Sequence, residues 1–232
     1  LVLIHKSHDE ITNRLIEKYK RSAKAGAIEI HNVIRQICRE NFENSIVSIT
    51  GANFLIAVSG SVCISENTAD GILSSVMPKI QIMIAGIDKI IPSFNNLDAL
   101  LPLYSTYSPG EKIKAYNTII SGPRQDNETD GPNEMYVVLL DNGRSNLLEQ
   151  KLQRRSLSCI DCGACQSVCP VYRKIGGESY NTLYTGPIGS IITPWLKGVE
   201  DFIHLSYAST LCGKCTEVCP VNINLHDQLL YN

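Results

Sequence analysis

The spacing of apolar positions divides the chain into helix-like and strand-like stretches. Ile11, Leu15, Ile16 and Tyr19 recur at helical intervals behind Ser7-x-x-Glu10, a capping box whose side chains satisfy the orphan amides of a first turn. Ile30, Val33, Ile34, Ile37, Cys38 and Phe42 form a second stripe of the same kind, so two amphipathic helices are expected. From residue 53 the period shortens to two. Asn53–Val58 and Ser61–Ser65, joined at Ser59-Gly60, predict a hairpin, and Ile80–Ala85, Tyr116–Ile120 and Met135–Leu140 predict further strands. Between them, Leu97, Leu100 and Leu101 mark a short helix capped by Asn95 or Asn96. Strands alternating with helices argue for an α/β sheet with at least one antiparallel pair.

Ser121–Glu134, rich in Gly, Pro, Asn and Asp, reads as an exposed excursion. Thr50-Gly51-Ala52-Asn53 and Ser121-Gly122-Pro123-Arg124 lack the spacing of a phosphate loop and read as turns. After Leu140 the texture turns helical. Asp141-Asn142-Gly143 is a turn, and Asn146-x-x-Glu149 can cap a helix running through Leu147, Leu148 and Leu152 to Leu157. The expected division therefore falls near residue 144, with residues 1–144 as part of an α/β domain and 145–232 as a small α-helical domain.

Composition narrows the classes. At 44% hydrophobic and 19% charged residues, the chain has the make-up of a globular protein, and 21 basic against 23 acidic residues leave no basic footprint for nucleic acid. Beyond residue 144 seven basic and seven acidic side chains balance. No stretch approaches the ~20 apolar residues of a membrane span. The opening Leu1-Val2-Leu3-Ile4 has neither an initiator Met nor the basic start of a secretion signal, and is read as a strand of a longer protein. The expected compartment is the reducing cytoplasm, where clustered cysteines mean metal or redox chemistry more often than disulfides.

Seven of the nine cysteines lie in the last 74 residues. They read Cys159-x2-Cys162-x2-Cys165-x3-Cys169-Pro170 and, after a gap, Cys212-x2-Cys215-x3-Cys219-Pro220. The first run has the spacing of bacterial ferredoxins, in which three thiolates hold one cubane and the fourth cysteine ligates the other cluster. Cysteines three apart on a tight loop turn their sulfurs to a common centre, while the last iron must find a distant sulfur. The assignment is therefore crossed. Cys159, Cys162 and Cys165 take the first cluster with Cys219, and Cys169 joins Cys212 and Cys215 on the second.

Gly163 and Gly213 follow a ligand in each run, Ile160, Ala164, Val168, Leu211 and Val218 supply an apolar jacket, and Pro170 and Pro220 stop each loop from continuing as helix. The second run lacks a leading cysteine, and Ser209 holds that register. The second cluster is then 4Fe-4S with serine or solvent oxygen on its fourth iron, or a three-iron cluster; His204 and His226 are the nearby histidine alternatives. A structural zinc ion would want four thiolates, and seven with two Cys-Pro endings fit it poorly. Cys38 and Cys63 lie on apolar stripes and read as small core residues. His5, His8 and His31 read as solvated.

With these residues in view, the chain resembles the lactate-utilization protein B family, the iron–sulfur subunit of a bacterial L-lactate oxidation complex. The resemblance rests on eight ordered blocks: Thr50–Phe54, Gly86–Pro92, Gly122–Arg124, Asp141–Arg144, Cys159–Cys165, Cys169–Gly177, Gly186–Gly189 and Cys212–Val221. It implies an α/β part like that of the sugar-phosphate isomerase and CoA-transferase group, followed by an α-helical dicluster ferredoxin, in a fragment of longer family members. The chain departs from the family at Val58, where an acidic residue is frequent, and in a shortened turn at Glu66-Asn67.

The function expected is that of an electron-transfer subunit: electrons from L-lactate, oxidised to pyruvate on a partner subunit or at a shared site, pass through two iron–sulfur clusters to an acceptor the sequence does not identify. The alternatives are direct oxidation of lactate or a related hydroxy acid at an open cluster iron, and a redox sensor. No base, flavin loop or nicotinamide loop is visible, so no catalytic residue is assigned. Arg154, Arg155, Arg173 and Lys174 flank the first run and suit either an acidic partner or simple solvation.

Overall fold

The computed structural model describes residues 8–19, 27–107 and 114–232. Leu1–Ile4, His5 and the Ser7 cap lie outside them. The two leading stripes form helices α1 (His8–Tyr19) and α2 (Ala27–Asn44), the second burying Ile37 while His31 faces solvent. The strands are β1 (Val47–Gly51), β2 (Phe54–Ile56) and β3 (Ser61–Glu66), then, after helix α3 (Asp70–Val76), β4 (Ile80–Gly86) and β5 (Ile90–Ile91). Helix α4 (Leu97–Tyr107) precedes β6 (Tyr116–Ile120) and β7 (Glu134–Leu140).

The strands form two sheets rather than one. One is parallel throughout, in the order β1-β4-β7; the other, β5-β2-β3-β6, carries the expected hairpin, with Phe54 opposite Cys63 and Ile56 opposite Ser61. Side-chain alternation along β2 and β3 explains the layering. Leu55, Val62 and Ile64 pack on Met83 and Ala85 of the parallel sheet, while Phe54, Ile56 and Cys63 point the other way, onto Leu97, Leu100 and Leu101 of α4.

Three local expectations are corrected. Thr50 and Gly51 end strand β1 instead of forming a turn, because Ile46–Thr50 is β-branched at every position but Ser48 and pairs with β4 from Val47↔Ile80 onward. The cap before α4 starts at Ser93, whose amide donates to Asn96 Oδ1 at 3.1 Å, so Asn96 works backward from inside the turn. The helix expected from Asn146 to Leu157 begins at Arg144 and breaks: α5 spans Arg144–Glu149, and a 3-10 turn covers Gln153–Ser158. Gly143, at φ 84°, sets that earlier start.

The last part is helical: α6 (Ala164–Val168), α7 (Pro170–Ile175), α8 (Gly186–Lys197), α9 (Val199–Phe202), α10 (His204–Tyr207), α11 (Lys214–Glu217) and α12 (Leu225–Tyr231). Its centre is α8, whose Ile188, Ile191 and Ile192 are buried with Leu147, Ile223, Leu225 and Leu229. Cys165 and Cys215 belong to the same cluster. The architecture is thus an α/β part followed by an all-helical one. Among the described residues no helix is long and apolar enough to cross a membrane.

Candidate iron–sulfur centre

Each cysteine run is a turn that feeds a short helix. In the first, Asp161 at φ 57° and Gly163 at φ 76° bracket Cys162, and α6 then carries Cys165; in the second, Leu211 at φ 50° and Gly213 at φ 77° bracket Cys212, and α11 carries Cys215. Glycine is required at 163 and 213 by backbone conformation, since a Cβ there meets no atom closer than 3.6 Å at Gly163 and none within 4 Å at Gly213. Pro170 does interrupt the first helix, since α6 ends at Val168 with Cys169 extended at ψ 119°, and it then opens α7 at a position where a missing N–H costs nothing, with Cys169 as the cap residue, whose Sγ accepts the Tyr172 amide at 3.4 Å.

Cys159, Cys162, Cys165 and Cys219 are among the residues that line one cavity of about 830 Å³, so both cysteine runs contribute to its wall. Ile160, Ile188, Ile223 and Leu225 supply its apolar wall. Cys169, Cys212 and Cys215 are not in that wall; Cys215 is buried, Cys169 half-buried and Cys212 exposed. Leu211, expected in the apolar jacket, is instead 43% exposed beside Cys212, because its positive φ turns the loop outward.

Burial pushes the Cys159 thiol well above its ordinary range and Cys165 up to about 12, and it raises Cys162 and Cys215 as well. Cys212 moves the other way, lowered first by the Lys214 amide, in keeping with its exposure. Desolvated thiols give up their protons only to a cationic centre that replaces the lost hydration. The donor set is soft sulfur, which suits iron in sulfide cages. Backbone amides are aimed at it: Asp161 N lies 3.4 Å from Cys159 Sγ and Ile223 N lies 3.3 Å from Cys219 Sγ. A single zinc ion would draw its sulfurs to within about 3.8 Å of one another. Among the described residues no three His, Cys, Asp or Glu side chains are gathered in that way.

Ser209 occupies a place equivalent to Cys159 in more than register. The Leu211 amide donates to Ser209 Oγ at 3.1 Å, as the Asp161 amide donates to Cys159 Sγ. The histidine alternatives are engaged elsewhere. His226 Nδ1 pairs with Thr216 Oγ1 at 2.8 Å and its Nε2 lies 3.2 Å from Asp227, while His204 Nδ1 pairs with the Asp201 carbonyl at 3.0 Å. Of the basic flank, Arg155 donates to the carbonyl of Val221 at 3.0 Å, bracing the loop after Cys219; Arg154, Arg173 and Lys174 are exposed.

Sequence reasoning missed a charged cluster beside the cavity: Asp88, Lys89, Arg144 and Asp161. Arg144 is buried and donates to Asp88 Oδ1 at 2.5 Å, to the Asp141 carbonyl at 3.1 Å and to the Tyr184 hydroxyl at 2.8 Å. The available signal was the presence of Asp88 with Lys89, and of Arg144, in two of the blocks noted above.

Comparison with known proteins accords with this organisation. The LUD domain family matches residues 3–140, and the 4Fe-4S dicluster domain family matches residues 155–223. Proteins called lactate utilization protein B from Geobacillus sp. (strain WCH70) and Anoxybacillus flavithermus (strain DSM 21510 / WK1) are each 42% identical over 229 residues, 98% of this chain and 48% of theirs. One from Bacillus velezensis is also 42% identical over the same length. The chain spans about half the length of these curated relatives. Among solved structures, a DUF162 family protein from Deinococcus radiodurans is 17% identical with a TM-score of 0.32, over 43% of this chain and 56% of that one.

Proposed function

This chain belongs to the LUD domain family, and from that premise we propose that it carries electrons in the oxidation of L-lactate to pyruvate, through two iron–sulfur clusters held by its C-terminal residues 145–232. The observation that carries the reading is the single cavity walled by Cys159, Cys162, Cys165 and Cys219, which draws on both cysteine runs. On this reading those four hold the first cluster. Cys169, Cys212 and Cys215 hold the second, with Ser209 or solvent at the remaining iron. The names of the relatives supply the substrate.

Bound iron–sulfur clusters take up and release single electrons. L-Lactate yields two electrons and two protons on becoming pyruvate, so the electrons pass in two steps to an acceptor, and the protons leave at the site of oxidation on a partner subunit. The chain's own contribution is to hold thiolates at fixed positions, to direct amide N–H groups at the sulfurs, which raises the potential, and to keep water from the first site with the Ile160, Ile188, Ile223 and Leu225 wall. On this reading residues 1–144 belong to the α/β part, whose Lys89 meets this unit at Cys159 and Asp161.

The test uses the full chain, loaded with iron and sulfide without oxygen. Metal and sulfide analysis with electron paramagnetic resonance, before and after dithionite, should show two reducible clusters. Stoichiometric zinc with negligible iron would overturn the reading. Added L-lactate should leave the visible absorbance unchanged until the partner subunits are present; bleaching by lactate alone would make the chain itself the oxidase.

A further inference from the structure

Four charged side chains are packed where the α/β part meets the first cysteine run, and none of them is a cluster ligand. Lys89 ends the 3-10 turn after β4 and reaches across, donating to the carbonyl oxygen of Cys159 at 2.8 Å and to Asp161 Oδ2 at 2.5 Å. Asp88 lies 3.8 Å from the same ammonium and is held from behind by Arg144. The Lys89 side chain is 15% exposed and that of Arg144 is 6% exposed. A void of about 10 Å³ lies between these groups and Leu157, Tyr184, Ile192 and Leu196, and Asp161 meets solvent on its outer side with 48% of its side chain exposed.

Two cations and two carboxylates make the group neutral, but it is not symmetric about Cys159. The Cys159 thiol donates to Asp161 Oδ1 across 3.6 Å. Once that sulfur is a thiolate, the same carboxylate repels it, and the cation placed to offset the repulsion is Lys89. Asp161 Oδ2 at 2.5 Å and Asp88 at 3.8 Å hold the Lys89 ammonium from two sides. Lys89 is therefore a fixed positive charge, contributed by the α/β part and pinned to the backbone of one cysteine of the cavity. In a site of low dielectric such a charge acts strongly on any group that gains an electron.

Resting on the cluster reading above, we propose that Lys89 is the positioning residue through which the α/β part sets the reduction potential of the cluster held by Cys159, Cys162, Cys165 and Cys219. An arriving electron adds one negative charge to that site, and Lys89 stabilises it; without Lys89, Asp161 opposes it. The coupling is reciprocal, so reduction also tightens the contact between Lys89 and the Cys159 loop. Anything that draws the Ile87–Lys89 turn away from Asp161 makes the first cluster harder to reduce. This gives the α/β part control over electron entry without contact with the cluster itself.

The experiment is an oxygen-free redox titration of the iron-loaded full chain, followed by electron paramagnetic resonance, on wild type, Lys89→Met, Lys89→Arg and Asp161→Asn. Iron and sulfide are measured in each. Lys89→Met should lower the midpoint of one cluster signal by at least tenfold in the reduction equilibrium, about 59 mV for a one-electron couple. Asp161→Asn should raise the same midpoint, and asparagine tolerates the positive φ of position 161. Lys89→Arg should stay near wild type, and the second signal should not move in any variant.

Full iron content with unmoved midpoints in Lys89→Met and Asp161→Asn overturns the proposal, as do shifts of the same sign in both. Should Lys89→Met fail to fold, Lys89→Gln, which keeps a donor for the Cys159 carbonyl without the charge, takes its place under the same criterion. A wild type that binds no iron overturns the cluster reading instead, and is recognised before any variant is titrated.

Discussion

Replacing Arg144 by Met keeps most of the side-chain volume and removes the charge at the centre of the junction. The Arg144 side chain is 6% exposed, and its partner Asp88 is 10% exposed. Without the guanidinium, Asp88 keeps, among the described residues, only the ammonium of Lys89 at 3.8 Å, and the Asp141 carbonyl and Tyr184 hydroxyl each lose a partner. Breaking a buried pair from one side costs about 3–5 kcal/mol. Counting bonds leads to a similar figure, with ~1 kcal/mol for each of the two neutral acceptors and ~1.5–3 for the charged one.

At about 2–4 °C per kcal/mol for a chain of this size, Tm should fall by roughly 6–20 °C. The assay is circular dichroism melting of Arg144→Met, Asp88→Asn and the double variant. Asp88→Asn removes the stranded carboxylate, so the double variant should lose less than the sum of the single losses, with a coupling of at least ~1 kcal/mol. Strict additivity, or a fall in Tm below about 3 °C for Arg144→Met, would refute the reasoning. Gly86 is an independent handle on the same contact, because a Cβ there would run into both Asp88 and Arg144.

Three further outcomes are expected. Ser209→Cys supplies the thiol the second run lacks; it should raise iron content and abolish any three-iron resonance signal of the oxidised protein, and an unaltered spectrum with unaltered iron would count against Ser209 at that site. Gly213→Ala meets no atom within 4 Å, so its cost is the backbone strain at φ 77°, about 1–2 kcal/mol in a melting experiment, and Gly213→Asn should cost less. Cys63 is fully buried and its thiol is pushed up to about 11 from 9.0, so the unfolded chain loses that proton first. Its contribution is intact below pH 9 and is lost as pH rises toward about 11; Cys63→Ala should flatten the decline of stability across that window, and an identical slope would show that another group governs it.

The helices and strands were legible wherever one face of a segment is apolar and the other polar. Tyr116–Ile120 matches its expected bounds, and the hairpin pairs as its alternation implied. The signal faded where stability comes from a neighbour. Strand β5 has two residues and exists through pairing with Leu55 and Ile56 of β2. Helix α3 is held at its start by Glu66, whose carboxylate accepts from the amides of Gly71 and Ile72 at 2.7 and 2.8 Å. At the candidate site, the cysteines declared themselves by spacing and Ser209 by register. Lys89 and Arg144 did not, because a lone lysine or arginine looks the same in a sequence whether it meets water or a buried carboxylate.

The amino-acid sequence by itself determined the chemistry available: soft sulfur donors in two short turns, positive-φ glycines after Cys162 and Cys212, and an apolar stretch around Ile188 to cover them. Such features are local, and local conformational preference writes them into neighbouring residues. Which apolar side chains wall those sulfurs, and which charge of the α/β part rests against Cys159, was decided only by tertiary structure. Those choices bring together residues separated by tens of positions, and only a shared core can select one pairing of distant segments over another.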